Sequence, residues 1–189
     1  MIRIFYKEIT DVTSEKERKI LLTLSESARA RLDKKKNDAL RIASLCALSL
    51  LTDEQRADLA YTESGRPYFN TFDADISITH SKRYCAVAIS DSKDERVGVD
   101  LEDQTDAIPS SRFLIGNEQI ALEKDTPFVE LWTKKEALFK FLKNDSIPFI
   151  KLDSTAAEQY GAKFITLQIE NNVITVCTPK GTMIQLIEK

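Results

Sequence analysis

The sequence predicts an α+β protein made of two similar α/β halves in a pseudo-twofold arrangement, each a small antiparallel sheet with packed helices. One observation is that a strand, then helices, then strands follow each other in residues 1–92 and again in residues 93–189. The other is that the predicted strands are short, alternating and separated by polar turns, which is typical of antiparallel sheets. We therefore expect domains 1–92 and 93–189, packed face to face with a cleft between them.

The composition is that of a globular protein: 189 residues, of which 42% are hydrophobic and 30% charged. A formal net charge of −3 weighs against a nucleic-acid binder, which would carry a basic surplus. The first residues lack the apolar core of a signal peptide, and no apolar run reaches the roughly 20 residues that span a bilayer. The sequence therefore predicts a cytoplasmic protein without a membrane partner, with three buried free thiols, Cys46, Cys85 and Cys177.

The N-terminal half begins with a loosely alternating segment, residues 2–9, that predicts a strand. Ser14 and Glu17 form a capping box, which predicts the start of a first helix. Apolar residues at helical spacing predict one long second helix over residues 28–51, with a basic first half. The elements that follow are a short helix over residues 52–60, a turn at 65–67 and a hairpin of strands 75–81 and 84–90.

The C-terminal half opens with a predicted strand over residues 97–102. A helix capped by Ser110 or Ser111 is expected to end near residue 123, and the strongest helical pattern covers residues 128–142. The last elements are three predicted antiparallel strands over residues 163–169, 173–178 and 183–187, joined by turns at 171–172 and 179–181.

Two acidic residues share one face of the predicted strand 97–102. Because side chains alternate along a strand, Asp100 and Glu102 lie on the face opposite the apolar Val99 and Leu101. Adjacent carboxylates repel each other, and an oxygen-binding cation such as Mg²⁺ would relieve that repulsion. The simpler alternative is a strand with a solvated acidic face.

Trp132, Glu136 and Lys140 are spaced so that they follow one side of the predicted helix 128–142. On their own, Glu136 and Lys140 are typical of a surface ion pair, which contributes only a few tenths of a kcal/mol. A carboxylate beside a large apolar ring, however, is partly desolvated and attracts a cation or a proton. The helix therefore offers a third acid that could join the pair on the strand.

His80 stands at the end of the predicted strand 75–81, between two hydroxyl residues, Thr79 and Ser81. It is the only histidine of the chain, which excludes a metal site built from several histidines. A single histidine in such a position is most often structural or exposed. With the neighbouring hydroxyl groups, it would also make a good contact for a phosphate.

Four segments together resemble the phosphopantetheinyl transferases. They are Val-Gly-Val-Asp-Leu-Glu at 97–102, Trp-Thr-Lys-Lys-Glu-Ala-Leu-Phe-Lys at 132–140, Ile-Thr-His-Ser at 78–81 and Gly-Arg-Pro at 65–67. Their order is similar to that of the larger two-half members, typified by the surfactin synthetase-activating enzyme, and differs from that of the short trimeric holo-acyl-carrier-protein synthases. The resemblance covers about residues 28–143, and the two acidic segments are fairly specific only in combination.

The resemblance implies transfer of the 4′-phosphopantetheine arm of coenzyme A to a serine of an apo acyl or peptidyl carrier protein, with release of adenosine 3′,5′-bisphosphate. It implies Mg²⁺ against the diphosphate, held by Asp100, Glu102 and Glu136. Lys140 would neutralise the diphosphate, and Glu136, directly or through metal-bound water, would be the base for the carrier serine. The other implied contacts to coenzyme A are Thr79, His80, Arg66 and Arg41, with Arg29 or Arg31 as further candidates for the 3′-phosphate.

By the same resemblance, domain 1–92 would supply the nucleotide contacts, and domain 93–189 the metal ligands and the catalytic helix. Phe113 and Glu118 stand where the family has an aromatic residue and an acid. Arg66 replaces the family's lysine and changes its reach, whereas Thr79 replaces a serine and keeps the hydroxyl group. Residues 143–147 lack the glycine-rich turn that often follows the family's catalytic helix.

Two other classes of function remain open from the sequence. One is a non-catalytic protein that binds coenzyme A or a carrier on the same scaffold, and the other is a Mg²⁺-dependent phosphohydrolase of nucleotides. The choice among fatty-acid, polyketide and peptide carriers also remains open. Because a chain with two halves builds its own cleft, we expect a monomer.

Overall fold

Small sheets packed with helices make up the fold, which confirms the predicted α+β class. The computed structural model describes residues 1–104, 113–142 and 147–189. The strands of this part of the chain are β1 (Ile2–Glu8), β2 (Leu59–Tyr61), β3 (Pro67–Phe69), β4 (Ile76–His80), β5 (Tyr84–Ser90), β6 (Gly98–Asp103), β7 (Ala162–Ile169), β8 (Asn172–Pro179) and β9 (Ile184–Glu188). Its α-helices are α1 (Ser14–Thr23), α2 (Glu26–Asp33), α3 (Asp38–Leu48), α4 (Asp53–Asp58), α5 (Asn117–Glu123) and α6 (Phe128–Leu142).

The first sheet has the strand order β4-β5-β1-β9. The predicted hairpin of β4 and β5 is confirmed, and β1 runs antiparallel to β5. The prediction that the last strand lies antiparallel in the C-terminal sheet is wrong, because β9 runs parallel to β1, with Ile4 opposite Leu186. β9 covers the edge of β1 that faces away from β5, and beside this pairing the amide of Ile2 donates to the carbonyl of Met183 (2.9 Å).

The second sheet has the order β6-β8-β7, and both of its strand pairs are antiparallel. Along β6, Asp100 lies opposite Thr175 and Glu102 lies opposite Val173. The two sheets share a strand order. In the first sheet β5 lies between β1 and β4, and in the second sheet β8 lies between β6 and β7, so in each set of three the strand that comes last in the sequence lies in the centre. β9 breaks this correspondence, because it adds a strand from the end of the chain to the first sheet.

Residues 28–51 do not form the single long helix that their apolar spacing predicts. Asn37 interrupts the helical path and caps a new helix, because its Oδ1 accepts from the amides of Ala39 (2.9 Å) and Leu40 (3.3 Å). The helix is therefore divided into α2 and α3.

Three other helices, α1, α4 and α6, begin close to their predicted positions. Thr13, and not Ser14, caps α1, since its Oγ1 accepts from the amide of Lys16 (3.3 Å). α4 ends earlier than predicted, because the chain enters β2 after Asp58. The prediction that a helix starts near Ser110 or Ser111 is wrong, because α5 begins only at Asn117, after Gly116; positions 110 and 111 themselves lie outside the described residues. α6 covers residues 128–142 as predicted.

The core lies between the two sheets and beneath the helices. Ile4, Ala88, Leu101 and Val176 are fully buried where the sheets face each other. α3 covers the other face of the first sheet, and α6 covers the other face of the second. All three cysteines are buried and free, as predicted. Among the described helices, none has the length and apolar character needed to cross a membrane.

Gly98 allows α6 to lie directly against β6. A Cβ atom at this position would lie 2.0 Å from the carbonyl oxygen of Ala137 and 2.6 Å from the amide nitrogen of Phe141. No residue with a side chain fits at such distances, so the close contact of strand and helix depends on this glycine. The contact brings Glu136 and Lys140 of α6 beside the acidic face of β6.

Candidate functional site

A cleft of about 340 Å³ opens at the end of β4, between α2 and α6. Its acidic wall consists of Asp100 and Glu102 of β6 with Glu136 of α6, and its basic wall comes from α2 and the segment that follows it. The sequence-predicted residues among the lining are Arg31, Thr79, His80, Asp100, Glu102, Glu136 and Lys140. The structure thus brings together residues that are as much as 109 positions apart in the sequence, Arg31 and Lys140.

Side chains, and not a backbone ladder, connect β4 to β6 below the cleft. The hydroxyl of Ser77 accepts from the amide of Val99 (3.0 Å), and the Asp75 carboxylate accepts from the amide of Val97 (2.9 Å). One step further along, Thr79 Oγ1 donates to Asp100 Oδ1 (3.0 Å). These bonds fix the two strands side by side and direct the ends of both strands into the cleft.

Asp100 is the most enclosed acid of the cleft, with only 4% of its surface exposed. Its Oδ1 accepts from Thr79 and from the ammonium of Lys140 (2.6 Å). Its Oδ2 is buried and has no hydrogen-bond partner among the described residues. An unsatisfied buried carboxylate oxygen is costly, so the site is incomplete without a further donor or cation.

The acidic wall carries more negative charge than Lys140 can neutralise. Burial, followed by the charge of Asp100, raises the pKa of Glu102 to about 7. Burial also raises the pKa of Glu136, and the opposing effect of Lys140 is not enough to restore it. Burial would lower the pKa of Lys140, but the charges of Asp100 and Glu136 outweigh it and raise that pKa. The wall therefore favours the arrival of a cation or a proton.

Two carboxylates of the cleft are suited to bind a divalent cation, and the third acid is not grouped with them. Asp100 and Glu102 offer carboxylate oxygens on one face of β6, and the unpartnered Oδ2 of Asp100 needs a positive charge. Within the described ranges, however, no three side chains of histidine, cysteine, aspartate or glutamate are grouped closely enough to hold a metal ion. Glu136 shares the cleft with the two acids but is not assembled with them into a finished metal centre.

The raised pKa of Glu102 predicts how stability depends on pH. Its folded-state pKa of about 7 lies above the ordinary value of 4.5, so the folded protein binds this proton more tightly than the unfolded chain. The contribution of Glu102 to the free energy of unfolding therefore falls as pH rises between about 4.5 and 7. We expect Glu102→Gln to remove that decline and to be more stable than wild type above neutral pH. Urea unfolding across this range measures it, and an unchanged decline in the variant would contradict the assignment.

The basic wall consists of Arg31, Lys35 and the ring of Tyr61. The guanidinium of Arg31 lies over the Tyr61 ring, 4.8 Å from its centroid. Gly65 has a φ of +90°, which favours glycine in this turn, and a Cβ there would lie 2.6 Å from a nitrogen of Arg31, so a larger residue would strain the turn and make the guanidinium shift. The sequence pattern indicates Arg31 only as a secondary candidate, because the basic segment around it resembles an ordinary solvated helix. It does not single out Lys35 in the same segment or Tyr61 in β2.

His80 is half-buried between the two walls. Burial, then the charges of Lys35 and Lys140, lowers its pKa below the ordinary range. The imidazole is therefore neutral at neutral pH and can donate one hydrogen bond while two ammonium groups stand nearby. Such an arrangement is suited to an anionic ligand in this part of the cleft.

Two predicted contact residues are engaged elsewhere. Arg66 binds the buried Asp75 carboxylate through one nitrogen (2.9 and 3.1 Å) and donates to the carbonyl of Lys140, so it holds the end of α6 against β4. Arg41 pairs with Glu17 (2.9 Å) and Asp33 (3.5 Å) and is not part of the cleft lining. Their expected roles at the ligand stay predictions, and both have evident structural partners.

Glu118 and Phe113 take part in the packing behind the acidic wall. Glu118 is fully buried and pairs with Lys135 of α6 (2.7 Å), which is fully buried as well. Its other oxygen accepts from the hydroxyl of Ser154 (2.7 Å). Phe113 contacts the ring of Trp132 edge-on, with centroids 5.9 Å apart. The sequence did not reveal the burial of Lys135. Residues 143–146, most of the segment noted for its lack of a glycine-rich turn, lie outside the described residues.

Comparison with known proteins finds no family model that matches the chain and no curated protein that matches its sequence.

Proposed function

We propose that the chain is a Mg²⁺-dependent phosphopantetheinyl transferase that moves the 4′-phosphopantetheine arm of coenzyme A to a serine of an apo carrier protein. The observation that carries the proposal is the buried, unpartnered Oδ2 of Asp100, beside Glu102 and Lys140 in one cleft that has a basic opposite wall. A diphosphate with a bound cation would bring positive charge to the acidic wall and negative charge to the basic wall. The motif resemblance supports the same function.

The residues of the acidic wall can perform the transfer chemistry. Asp100 and Glu102, with Glu136, would hold Mg²⁺, which would supply positive charge to the diphosphate. The carrier serine hydroxyl would attack the β-phosphorus as it loses its proton, and the bond from that phosphorus to the bridging oxygen would break, so that adenosine 3′,5′-bisphosphate leaves with the electron pair. Lys140 is placed to share in neutralising the diphosphate, because its ammonium already lies between the strand and the cleft (2.6 Å from Asp100). Glu136 is the proposed base for the carrier serine, since it lines the cleft beside the acids of β6 and burial raises its pKa, which makes the carboxylate a better proton acceptor.

The basic wall is the proposed site for the adenosine bisphosphate part of coenzyme A. Arg31 and Lys35 line the cleft, whereas Arg41 lies outside the lining, so we favour the first two for the 3′-phosphate. His80 and Thr79 would contact a phosphate between the walls. A neutral imidazole flanked by cations binds an anion without adding a further charge to the cleft.

We further propose that residues 1–92 and 93–189 form pseudo-twofold related halves. Support comes from the matching strand orders β1-β5-β4 and β6-β8-β7, each with helices between its first and second strands. The cleft lies where the two halves meet and needs no second chain for its walls, which supports a monomeric protein. We place its activity in the cytoplasm, where apo carrier proteins and coenzyme A are both present.

The direct test is incubation of the protein with coenzyme A, Mg²⁺ and a panel of apo-carriers from fatty-acid, polyketide and peptide synthesis, followed by intact-protein mass spectrometry. We expect one or more carriers to gain the mass of a phosphopantetheine group, with equimolar adenosine 3′,5′-bisphosphate. Folded protein that modifies no carrier would contradict the proposal. Release of the bisphosphate without any carrier would indicate a phosphohydrolase.

Asp100→Asn is expected to lower the transfer rate by about a hundredfold or more, because it removes the charge that faces the metal and Lys140. The amide keeps the shape of the carboxylate, so the fold should persist, which circular dichroism can verify. Asp91→Asn is the matched control, since Asp91 is an exposed acid that pairs with Arg3 (3.1 Å) away from the cleft. Equal rates in the two variants would exclude Asp100 from the reaction.

One observation favours a second candidate, a protein that binds coenzyme A or a carrier without catalysis. The described residues contain no assembled group of three metal-binding side chains, and a binder needs none. Isothermal titration with coenzyme A in the presence of Mg²⁺ separates the candidates. Tight binding without transfer to any carrier would support the binder.

A further inference from the structure

Trp132, the only tryptophan of the chain, is held rigidly at the edge of the cleft. Only 8% of its surface is exposed. Three phenylalanine rings contact its indole, with centroid distances of 5.9 Å for Phe113, 6.4 Å for Phe128 and 5.4 Å for Phe149. The ring therefore has little freedom to rotate or to leave its place.

The indole N–H of Trp132 donates to Oε1 of Glu102, at 3.3 Å. Asp100, two residues earlier on the same face of β6, shows a related pattern: Oδ1 accepts from Thr79 and Lys140, and Oδ2 has no partner among the described residues. Each acid of the pair thus has one oxygen bound by the protein and, within the described residues, one oxygen without a donor. Both carboxylates are restricted in rotation by donors that belong to other elements.

We infer that Trp132 is a positioning residue, which orients the Glu102 carboxylate so that its second oxygen and Oδ2 of Asp100 can receive one divalent cation. This inference rests on the proposed function. Two adjacent carboxylates repel each other, and the indole N–H is the donor that opposes rotation of the Glu102 carboxylate away from Asp100. Donors behind metal-binding carboxylates act in this way, by fixing the ligand before the metal arrives.

Trp132→Phe tests the inference, because it keeps an aromatic ring in the cluster and removes the N–H donor. Binding of Mn²⁺, a spectroscopic substitute for Mg²⁺, is measured by electron paramagnetic resonance without coenzyme A or a carrier. We expect the variant to bind Mn²⁺ roughly tenfold to a hundredfold more weakly than wild type. Phe128→Leu is the matched control, since it loosens the packing around the indole and keeps the N–H, and it should bind nearly as wild type does. Urea unfolding of both variants shows whether a loss of fold explains a loss of binding.

Wild-type fluorescence gives an independent readout, because the only indole touches a proposed ligand. Mn²⁺ should quench Trp132 in the wild type and not in Glu102→Gln. Glu130→Gln should keep the quenching, since Glu130 lies on the same helix and pairs with Lys134 (2.5 Å) outside the cleft.

The outcomes separate this inference from the proposed function. Mn²⁺ affinity that is unchanged in Trp132→Phe would overturn the positioning role even if the wild type transfers phosphopantetheine. Weakened affinity in that variant, with no transfer by the wild type, would uphold the positioning role and overturn the proposed activity. Wild-type protein that binds no Mn²⁺ would overturn both.

Discussion

Gly98→Ala is expected to destabilise the protein by about 3 kcal/mol or more, at the upper end of overpacking effects. The added Cβ would lie 2.0 Å from the carbonyl oxygen of Ala137 and 2.6 Å from the amide nitrogen of Phe141. Both are backbone atoms of α6, so no side-chain rotation can relieve the clash. The strand and the helix must move apart, which would also separate Lys140 from Asp100. Urea unfolding measures the loss of stability, and the transfer assay measures the loss of site geometry.

Gly161→Ala provides the control for this substitution. Gly161 has a φ of +69°, and a Cβ added there would have no described atom within 4 Å, so alanine meets backbone strain but no clash. The expected cost is about 1 kcal/mol, and activity should persist because the residue lies away from the cleft. Equal stability of the two variants would mean that α6 does not depend on close contact with Gly98.

Lys135→Met is expected to destabilise the protein by about 3–5 kcal/mol, the usual cost of removing one partner from a buried ion pair. Lys135 and Glu118 are both fully buried, and their side chains are 2.7 Å apart. Methionine fills much of the volume of the lysine stem but leaves the Glu118 carboxylate without its cation. Lys135 also donates to the carbonyl of Leu152, so that acceptor loses a partner as well.

The double variant Lys135→Met with Glu118→Gln separates charge from packing. Because it removes both charges, it should recover part of the stability lost in Lys135→Met. Chemical denaturation of the single and double variants gives the coupling energy. A double variant less stable than the single one would show that hydrogen bonds of Glu118, such as that from Ser154, outweigh the ion pair.

Local periodicity is sufficient to predict several parts of the fold and the membership of the acidic wall. The bounds of α6 follow from its apolar spacing, and the alternation along β6 is enough to place Asp100 and Glu102 on one face. These predictions succeed because each depends on neighbours within a few positions along the chain.

The failures all involve choices that local patterns do not determine. Asn37 lies within a continuous helical pattern, and its side chain competes for backbone amides in a way that spacing alone does not reveal. Lys135 follows another lysine and has the sequence appearance of a solvated residue, although tertiary contacts bury it completely. β9 pairs with the edge of β1 that β5 leaves open, and the paired residues are more than 180 positions apart in the sequence.

The parallel pairing of β9 with β1 has a consequence for the order in which the protein is made. On the ribosome, β1 is made well before β9, because their paired residues, such as Ile2 and Ile184, are far apart in the sequence, and the outer edge of β1 stays open until residues 184–188 have been synthesised. Contacts of such large sequence separation form late and slowly. The nascent chain therefore carries an exposed strand edge while the residues between β1 and β9 are translated, and shielding by a chaperone during that interval would raise the yield of folded protein.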